Sequence, residues 1–178
     1  MQYIITSNYQ SPFGELVLGD YDGSLCLCDW RFRKQRSLID QRILTLLSSA
    51  FLPGETSLIL GVKSQLDEYF NSQRKVFDIP ILLAGTDFQK LVWKELLNVG
   101  YGTTETYQGL AARLSKQDAI RAIGSANGAN ALAILVPCHR IVGQNGKLIG
   151  YAGGLQAKKK LLELEGVYFS NGQKSLFE

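Results

Sequence analysis

The chain has 178 residues, 46% of them apolar and 20% charged, which is globular composition and argues against disorder, collagen and coiled-coil architectures. No apolar run approaches the ~20 residues a membrane-spanning helix needs, and the N-terminus lacks the basic and apolar regions of a secretory signal. Charge is uneven: residues 1–85 carry 8 Lys+Arg against 9 Asp+Glu, and residues 86–178 carry 11 against 7, so the second half is the one suited to an anionic partner. Three cysteines (Cys26, Cys28 and Cys138) are too few for a secreted disulfide framework and point to a reduced intracellular protein.

Taken in chain order, Glu15–Gly19 and Ser24–Trp30 read as short strands, with hairpin chemistry in Asp20-Tyr21-Asp22-Gly23 between them. Residues 37–50 place Leu38, Ile39, Ile43, Leu46 and Leu47 at helical spacing, and Pro53-Gly54 breaks the pattern. A second helix is predicted from Ser57 to about Gln73 on Leu58, Ile59, Val62, Leu66, Tyr69 and Phe70, followed by a connector over residues 80–86. Asp87 is the expected cap of a helix whose apolar face is Phe88, Leu91, Val92, Trp93, Leu96 and Leu97.

Thr104 or Thr106 can cap a short helix over residues 107–114, and after Ser115-Lys116-Gln117 another opens at Asp118. Two short helices around a tight turn have the outline of a helix-turn-helix, a pattern many helical domains share. Gly143, Asn145-Gly146 and Gly150 offer hairpin material for a wing, and a last helix over residues 155–165 stops at Gly166. No repeat is visible.

The chemistry concentrates at Val136-Pro137-Cys138-His139-Arg140-Ile141, where the chain's one histidine follows a cysteine that leaves an apolar run through a proline. A thiolate is the strong nucleophile among neutral-pH side chains, and a neighbouring base or cation lowers the thiol pKa from about 8.5. Consecutive side chains point apart, so one water between Cys138 and His139 is expected rather than a direct bond. A carboxylate would orient the imidazole, and several are candidates. Cys26-x-Cys28 has no second histidine to complete a zinc set, so neither metal nor cofactor is expected.

With these residues in place, the chain resembles the O6-methylguanine-DNA methyltransferases, also called methylated-DNA–protein-cysteine methyltransferases. The resemblance is carried by Pro137-Cys138-His139-Arg140, by Arg121-Ala122-Ile123-Gly124-Ser125-Ala126 through Asn130, by Gly150-Tyr151-Ala152-Gly153-Gly154-Leu155, and by Leu161-Leu162-Glu163-Leu164-Glu165-Gly166. It is dense over about residues 84–167 and looser at Ser11-Pro12-Phe13-Gly14-Glu15-Leu16.

What the resemblance implies is an α+β protein: a small ribonuclease-H-like N-terminal domain over residues 1–84 and a winged-helix-like DNA-binding domain over residues 85–178. It implies irreversible, single-turnover transfer of the alkyl group of O6-alkylguanine, and of O4-alkylthymine, to Cys138, with the base flipped from double-stranded DNA. By position, His139 is the base acting through water, Glu165 orients it, Tyr107 protonates the leaving guanine near N3, and Asn130 braces the turn holding the cysteine. Arg121 fills the vacated stack, Gly124, Ser125 and Ala126 dock the helix in the minor groove, and Arg140 joins the DNA contacts. Tyr151, Ala152 and Gly153 wall the base pocket.

A monomer, cytoplasmic or associated with the nucleoid and without a membrane partner, is the matching expectation. Three positions depart from the family's pattern: Gly100 where a proline is common, Gly128 where some members are basic, and Ala152 in place of a hydroxyl. Two competing readings are a lesion-binding winged-helix protein, which the presence of Cys138 opposes, and a thiol hydrolase, which the sequential Cys-His pair opposes.

Overall fold

The computed structural model describes residues 2–169, and no helix among them is long and apolar enough to cross a membrane. The first half is built on a four-stranded sheet: β1 (Tyr3–Ser11), β2 (Gly14–Tyr21), β3 (Ser24–Trp30) and β4 (Ala50–Pro53), ordered β3-β2-β1-β4. The β2–β3 hairpin turns on Asp22 (φ 51°) and Gly23 (φ 76°), both left-handed, the geometry that matches strand twist. Asp20 Oδ1 accepts the Gly23 amide at 2.9 Å and closes the turn. β4 runs parallel to β1, with Tyr3 opposite Ala50 and Thr6 opposite Pro53.

Helix α1 (Arg36–Leu46) is shorter than its sequence pattern predicts. Ser48 turns left-handed (φ 45°), and the next residues become the edge strand β4, which gains ladder bonds from β1 that a longer helix would forgo. Of its expected apolar face only Ile39 and Ile43 are buried, while Leu38 and Leu46 are exposed. α2 (Ser57–Phe70) starts where the Thr56 side chain accepts the Ile59 amide, and it buries Ile59, Val62, Leu66 and Tyr69.

In the second half, α3 (Asp87–Leu96) is capped by Thr86 rather than Asp87. Thr86 Oγ1 accepts the Gln89 amide and the Gln89 side chain accepts the Thr86 amide, a reciprocal pair that satisfies two donors. Val92, Trp93 and Leu96 face the core, whereas Leu91 and Leu97 from the predicted face are exposed. α4 (Tyr107–Arg113) is capped by Thr106, one of the two threonines considered. A 3-10 turn over Gln117–Ala119, with Asp118 making no cap bond, leads into α5 (Ile120–Gly128).

The expected wing hairpin does not form. Residues 141–151 carry only β6 (Ile141–Val142), which pairs in parallel with β5 (Glu105–Thr106), and a loop closed by the Gly143 amide on the Lys147 carbonyl at 2.8 Å. Asn145 (φ 59°), Gly146 (φ 73°) and Gly150 (φ 48°) turn left-handed, which interrupts any strand running back. α6 (Leu155–Leu164) follows and ends at Gly166, whose φ of 86° is the left-handed exit expected of a C-terminal glycine.

The halves are not separate hydrophobic bodies. One cluster joins Leu16, Leu18, Leu66 and Tyr69 of the first half to Val92, Leu132 and Leu161 of the second. The edge strand β3 also bonds the later segment directly: the Cys28 amide donates to Ala131 O at 2.8 Å and the Ala133 amide to Cys28 O at 2.7 Å. That contact holds the segment leading to Cys138 against the sheet. The mixed α+β architecture expected from the sequence is what the chain adopts.

Candidate active site

Residues 131–136 do not form a strand. They fold into a tight turn in which the Val136 amide donates to Leu132 O at 2.8 Å and Ile134 lies at φ 74°. A β-branched residue in the left-handed region is strained by about 1–3 kcal/mol, and such strain persists only where surroundings hold it. Here the hold is the burial of all six residues and the side chain of Asn130. Asn130 Oδ1 accepts the Leu132 amide at 2.9 Å, while Nδ2 donates to Val136 O at 2.8 Å and to Cys138 Sγ at 3.2 Å. Cys138 then opens a 3-10 turn, Cys138–Arg140, with its side chain 3% exposed.

Within this turn His139 and Arg140 project inward and meet Glu165 at the end of α6. His139 Nε2 lies 2.8 Å from Glu165 Oε1. Arg140 Nε and Nη2 donate to the two carboxylate oxygens at 2.9 and 3.0 Å, and Nη1 donates to Val99 O. Tyr69 Oη adds a donor to Oε1 at 2.8 Å, and the Gly102 amide one to Oε2 at 3.3 Å. Burial pushes the Glu165 pKa upward, but the hydrogen bonds and charges of His139 and Arg140 outweigh it and hold it at about 2.

Burial lowers the His139 pKa, opposed by Glu165, and so favours the neutral ring. An ionised carboxylate only accepts, so the one imidazole proton sits on Nε2 and Nδ1 keeps its lone pair. Nδ1 is buried and no protein group bonds it among the described residues. The Cys138 thiol is pushed up by burial, while the Asn130 amide and the Lys158 ammonium act to lower it. At rest the sulfur is a thiol with a basic nitrogen on the adjoining residue.

The cysteine lines a cavity of about 620 Å³ together with Tyr107, Gly124, Asn127 and Gly128 and with Tyr151, Ala152, Gly153 and Trp30. That volume falls within the roughly 300–1,000 Å³ of small-molecule sites. Burial raises the Tyr107 phenol and the Cys138 charge adds to it, so Tyr107 remains a proton donor, with Asn127 Nδ2 donating to its oxygen at 3.4 Å. On α5 Arg121 and Ser125 are exposed and Gly124 is half-buried behind Tyr107.

Two expected DNA contacts are corrected. Ala126 is turned into the core, its carbonyl accepting Trp93 Nε1–H at 2.8 Å. Arg140 is 7% exposed and committed to Glu165 and Val99, because the 3-10 turn directs it inward where a buried carboxylate needs a cation.

Other residues of the site escaped the sequence reading. Lys158 is fully buried, donating Nζ–H bonds to Ile141 O, Ile149 O and Gly150 O at 2.5, 2.7 and 3.1 Å, and so ties the chain after Cys138 to the loop before Tyr151. Burial pulls its ammonium down to about 8, against the opposing influence of Cys138. Its position at i, i+3, i+4 and i+7 with Leu161, Leu162 and Glu165 was a detectable signal, masked by the neighbouring Lys159 and Lys160. Arg33 is likewise buried, bonded to Asp29 and to the carbonyls of Gly128 and Asn130. Among the described residues, no cluster of three or more His, Cys, Asp or Glu side chains could hold a metal ion.

A family model described as 6-O-methylguanine DNA methyltransferase, DNA binding domain, matches residues 87–167. The methylated-DNA–protein-cysteine methyltransferase of Methanosarcina acetivorans is 39% identical over 89% of this chain and 96% of its own length. The Mycobacterium leprae protein of the same name is 50% identical over 87% and 88%. The match to the Mycobacterium bovis namesake, 50% identical over 59% of this chain, spans 64% of that relative's length. A crystal structure of Mycobacterium tuberculosis OGT in complex with DNA superposes with a TM-score of 0.77 at 38% identity, covering 90% of this chain and 92% of that one.

Proposed function

Because this chain belongs to the methylated-DNA–protein-cysteine methyltransferase family, we propose that it repairs DNA by moving the alkyl group of O6-alkylguanine, and of O4-alkylthymine, irreversibly onto its own Cys138. The observation that carries the reading is the buried Cys138 thiol opening on a cavity large enough to admit a flipped base, with the His139–Glu165 pair behind it. One molecule of protein is consumed per lesion.

The chemistry follows from the site. His139 Nδ1, through one water, takes the Cys138 proton, and Glu165 stabilises the imidazolium that forms because it already accepts from Nε2. The thiolate attacks the alkyl carbon, an S–C bond forms, and the O6–C bond breaks with its electrons passing to guanine. Tyr107 donates a proton to the departing base near N3, and the Asn130 amide, bonded to Sγ, holds the sulfur in line. No metal or cofactor enters this scheme.

The target carbon lies inside a duplex, so the nucleotide must rotate out at a cost of a few kcal/mol. Arg121, exposed on the first turn of α5, is suited to fill the gap, and Gly124 and Ser125 let that helix approach the minor groove closely. Tyr151, Ala152 and Gly153 close over the base.

The sheet with its parallel fourth strand supports a ribonuclease-H-like N-terminal domain over residues 1–84. The α4–α5 pair supports a winged-helix-like domain from residue 85, with a glycine-rich loop where a wing would stand. Residues 170–178 of that span lie outside the described residues.

The test is mass spectrometry of the protein after incubation with duplex carrying O6-methylguanine. Transfer gives a stable gain of one methyl on the Cys138 peptide. An unmodified peptide beside bound DNA would mark a lesion-binding protein, and multiple turnovers a hydrolase.

A further inference from the structure

The wall of the cavity beside Tyr151 comes from the other half of the chain. Trp30, the last residue of β3, is 4% exposed and lines the same cavity as Cys138. Its Nε1–H donates to Tyr151 Oη at 3.1 Å, and the two rings meet edge to face with centroids 6.1 Å apart. The Tyr151 ring is in turn 6.3 Å from the His139 ring. The indole is tightly enclosed: a Cβ on Gly153 would sit 2.5–2.7 Å from its atoms, and one on Gly14 would sit 3.2 Å from it on the β2 side. The 151–153 loop therefore rests on the face of Trp30, and only glycine at 153 permits that approach.

We propose that Trp30 is a specificity-determining residue of the alkyl pocket, fixing the position of the Tyr151–Gly153 wall and with it the size of alkyl group that fits beside Cys138. The inference rests on the functional reading above. Two properties of the indole act together. Its N–H occupies one lone pair of Tyr151 Oη, which turns the tyrosine's own O–H away from Trp30. Its bulk, filling the space between Gly14 and Gly153, prevents the loop from retreating when a larger group enters. Trp30 acts through Tyr151 and the loop, so it is a positioning residue and takes no part in the bond changes.

The experiment measures single-turnover transfer from O6-methylguanine and O6-benzylguanine, placed in otherwise identical duplexes, for the wild type, Trp30→Phe and Trp30→Ala. Pocket contacts typically shift discrimination by one to two orders of magnitude, so Trp30→Ala should raise the benzyl-to-methyl rate ratio about tenfold or more. Trp30→Phe keeps a smaller aromatic wall and loses the N–H, and should raise the ratio by a lesser factor. A purely structural role would slow both substrates together and leave the ratio unchanged in both variants, which overturns the proposal. If Trp30→Ala does not fold, the Phe variant and Trp30→Leu carry the same comparison. Failure of the functional reading is distinguishable: the wild type would then transfer neither group, and the inference would fall with it.

Discussion

Tyr69, on the second helix of the N-terminal half, donates its hydroxyl to Glu165 Oε1 at 2.8 Å, the oxygen that also faces His139. The carboxylate behind Cys138 and His139 is thus held from both halves of the chain. Both Tyr69 and Glu165 are buried, so this bond forms out of reach of water. Tyr69→Phe removes one donor while Arg140 and His139 keep Glu165 ionised. The expected result is a loss of about 1–2 kcal/mol in stability and a measurable slowing of transfer, read by denaturant titration and single-turnover kinetics. An unchanged rate would show that the remaining donors position Glu165 without Tyr69.

Cys138→Ser should abolish alkyl transfer and retain DNA binding. A serine hydroxyl at pH 7 is a poor nucleophile, and the exposed face of α5 is untouched. The other cysteines cannot substitute, since both are buried and neither lines the cavity on which Cys138 opens. Stoichiometric transfer by the serine variant, followed by mass spectrometry, would sink the assignment of the acceptor.

How much of this site was legible depends on where each residue stands. Cys138 and His139 stand in one contiguous motif and Glu165 at the end of a recognisable helix. Spacing left the carboxylate open, the family resemblance pointed to Glu165, and the fold sets it 2.8 Å from His139. Arg140 was expected among the DNA contacts because it follows the cysteine and histidine directly in sequence, and only the 3-10 turn reveals that it faces a buried carboxylate. Lys158 was hidden inside a run of three lysines of which it alone is buried. The strand β1, YIITSNYQS, was not read because its polar residues break the alternation, and β4 is too short to leave a pattern. Trp30 was read only as the end of a strand, since its contact with Tyr151 spans 121 residues of sequence.

Glu165→Gln should slow transfer without removing it, because the thiol remains while His139 loses an anionic partner; the loss should lie within the ~10²–10⁴-fold range that a general base supplies. Stability carries a separate signature. The folded pKa of Glu165, about 2, lies below the ordinary 4.5, so its contribution is full above pH 4.5 and is lost as pH falls towards 2. At roughly 1.4 kcal/mol per unit this amounts to about 3 kcal/mol. The glutamine variant should be less stable at neutral pH, with Arg140 left unpaired, and should lose less further stability between pH 4.5 and 3 than the wild type. Parallel melting-temperature profiles in that window would contradict the role of the carboxylate.

Alkylation should lower the melting temperature. Cys138 is 3% exposed and its sulfur is bonded by Asn130 within a strained turn, so an added group crowds the turn and displaces that bond. Overpacking of this kind costs about 1–3 kcal/mol. Calorimetry of the free and methylated forms checks it, and equal midpoints would count against a confined site.

Arg121 offers the sharpest division between flipping and simple electrostatics. It is exposed on the first turn of α5 and makes no ion pair among the described residues, so its guanidinium is available to DNA. If it fills the vacated stack, it matters only when a nucleotide must leave a duplex, and the free base O6-benzylguanine needs no flipping. Arg121→Ala should therefore slow reaction with methylated duplex by about tenfold or more, the loss of a few kcal/mol of unstacking compensation, while reaction with the free base is nearly unchanged. Arg121→Lys keeps the charge but loses the planar fork, and should recover only part of the duplex rate. A phosphate contact would instead give nearly full rescue by lysine and a salt slope reduced by about one. Both variants, measured on both substrates across a salt series, separate these outcomes. Equal losses on duplex and free base would place Arg121 in support of the fold, and the flipping role would be wrong.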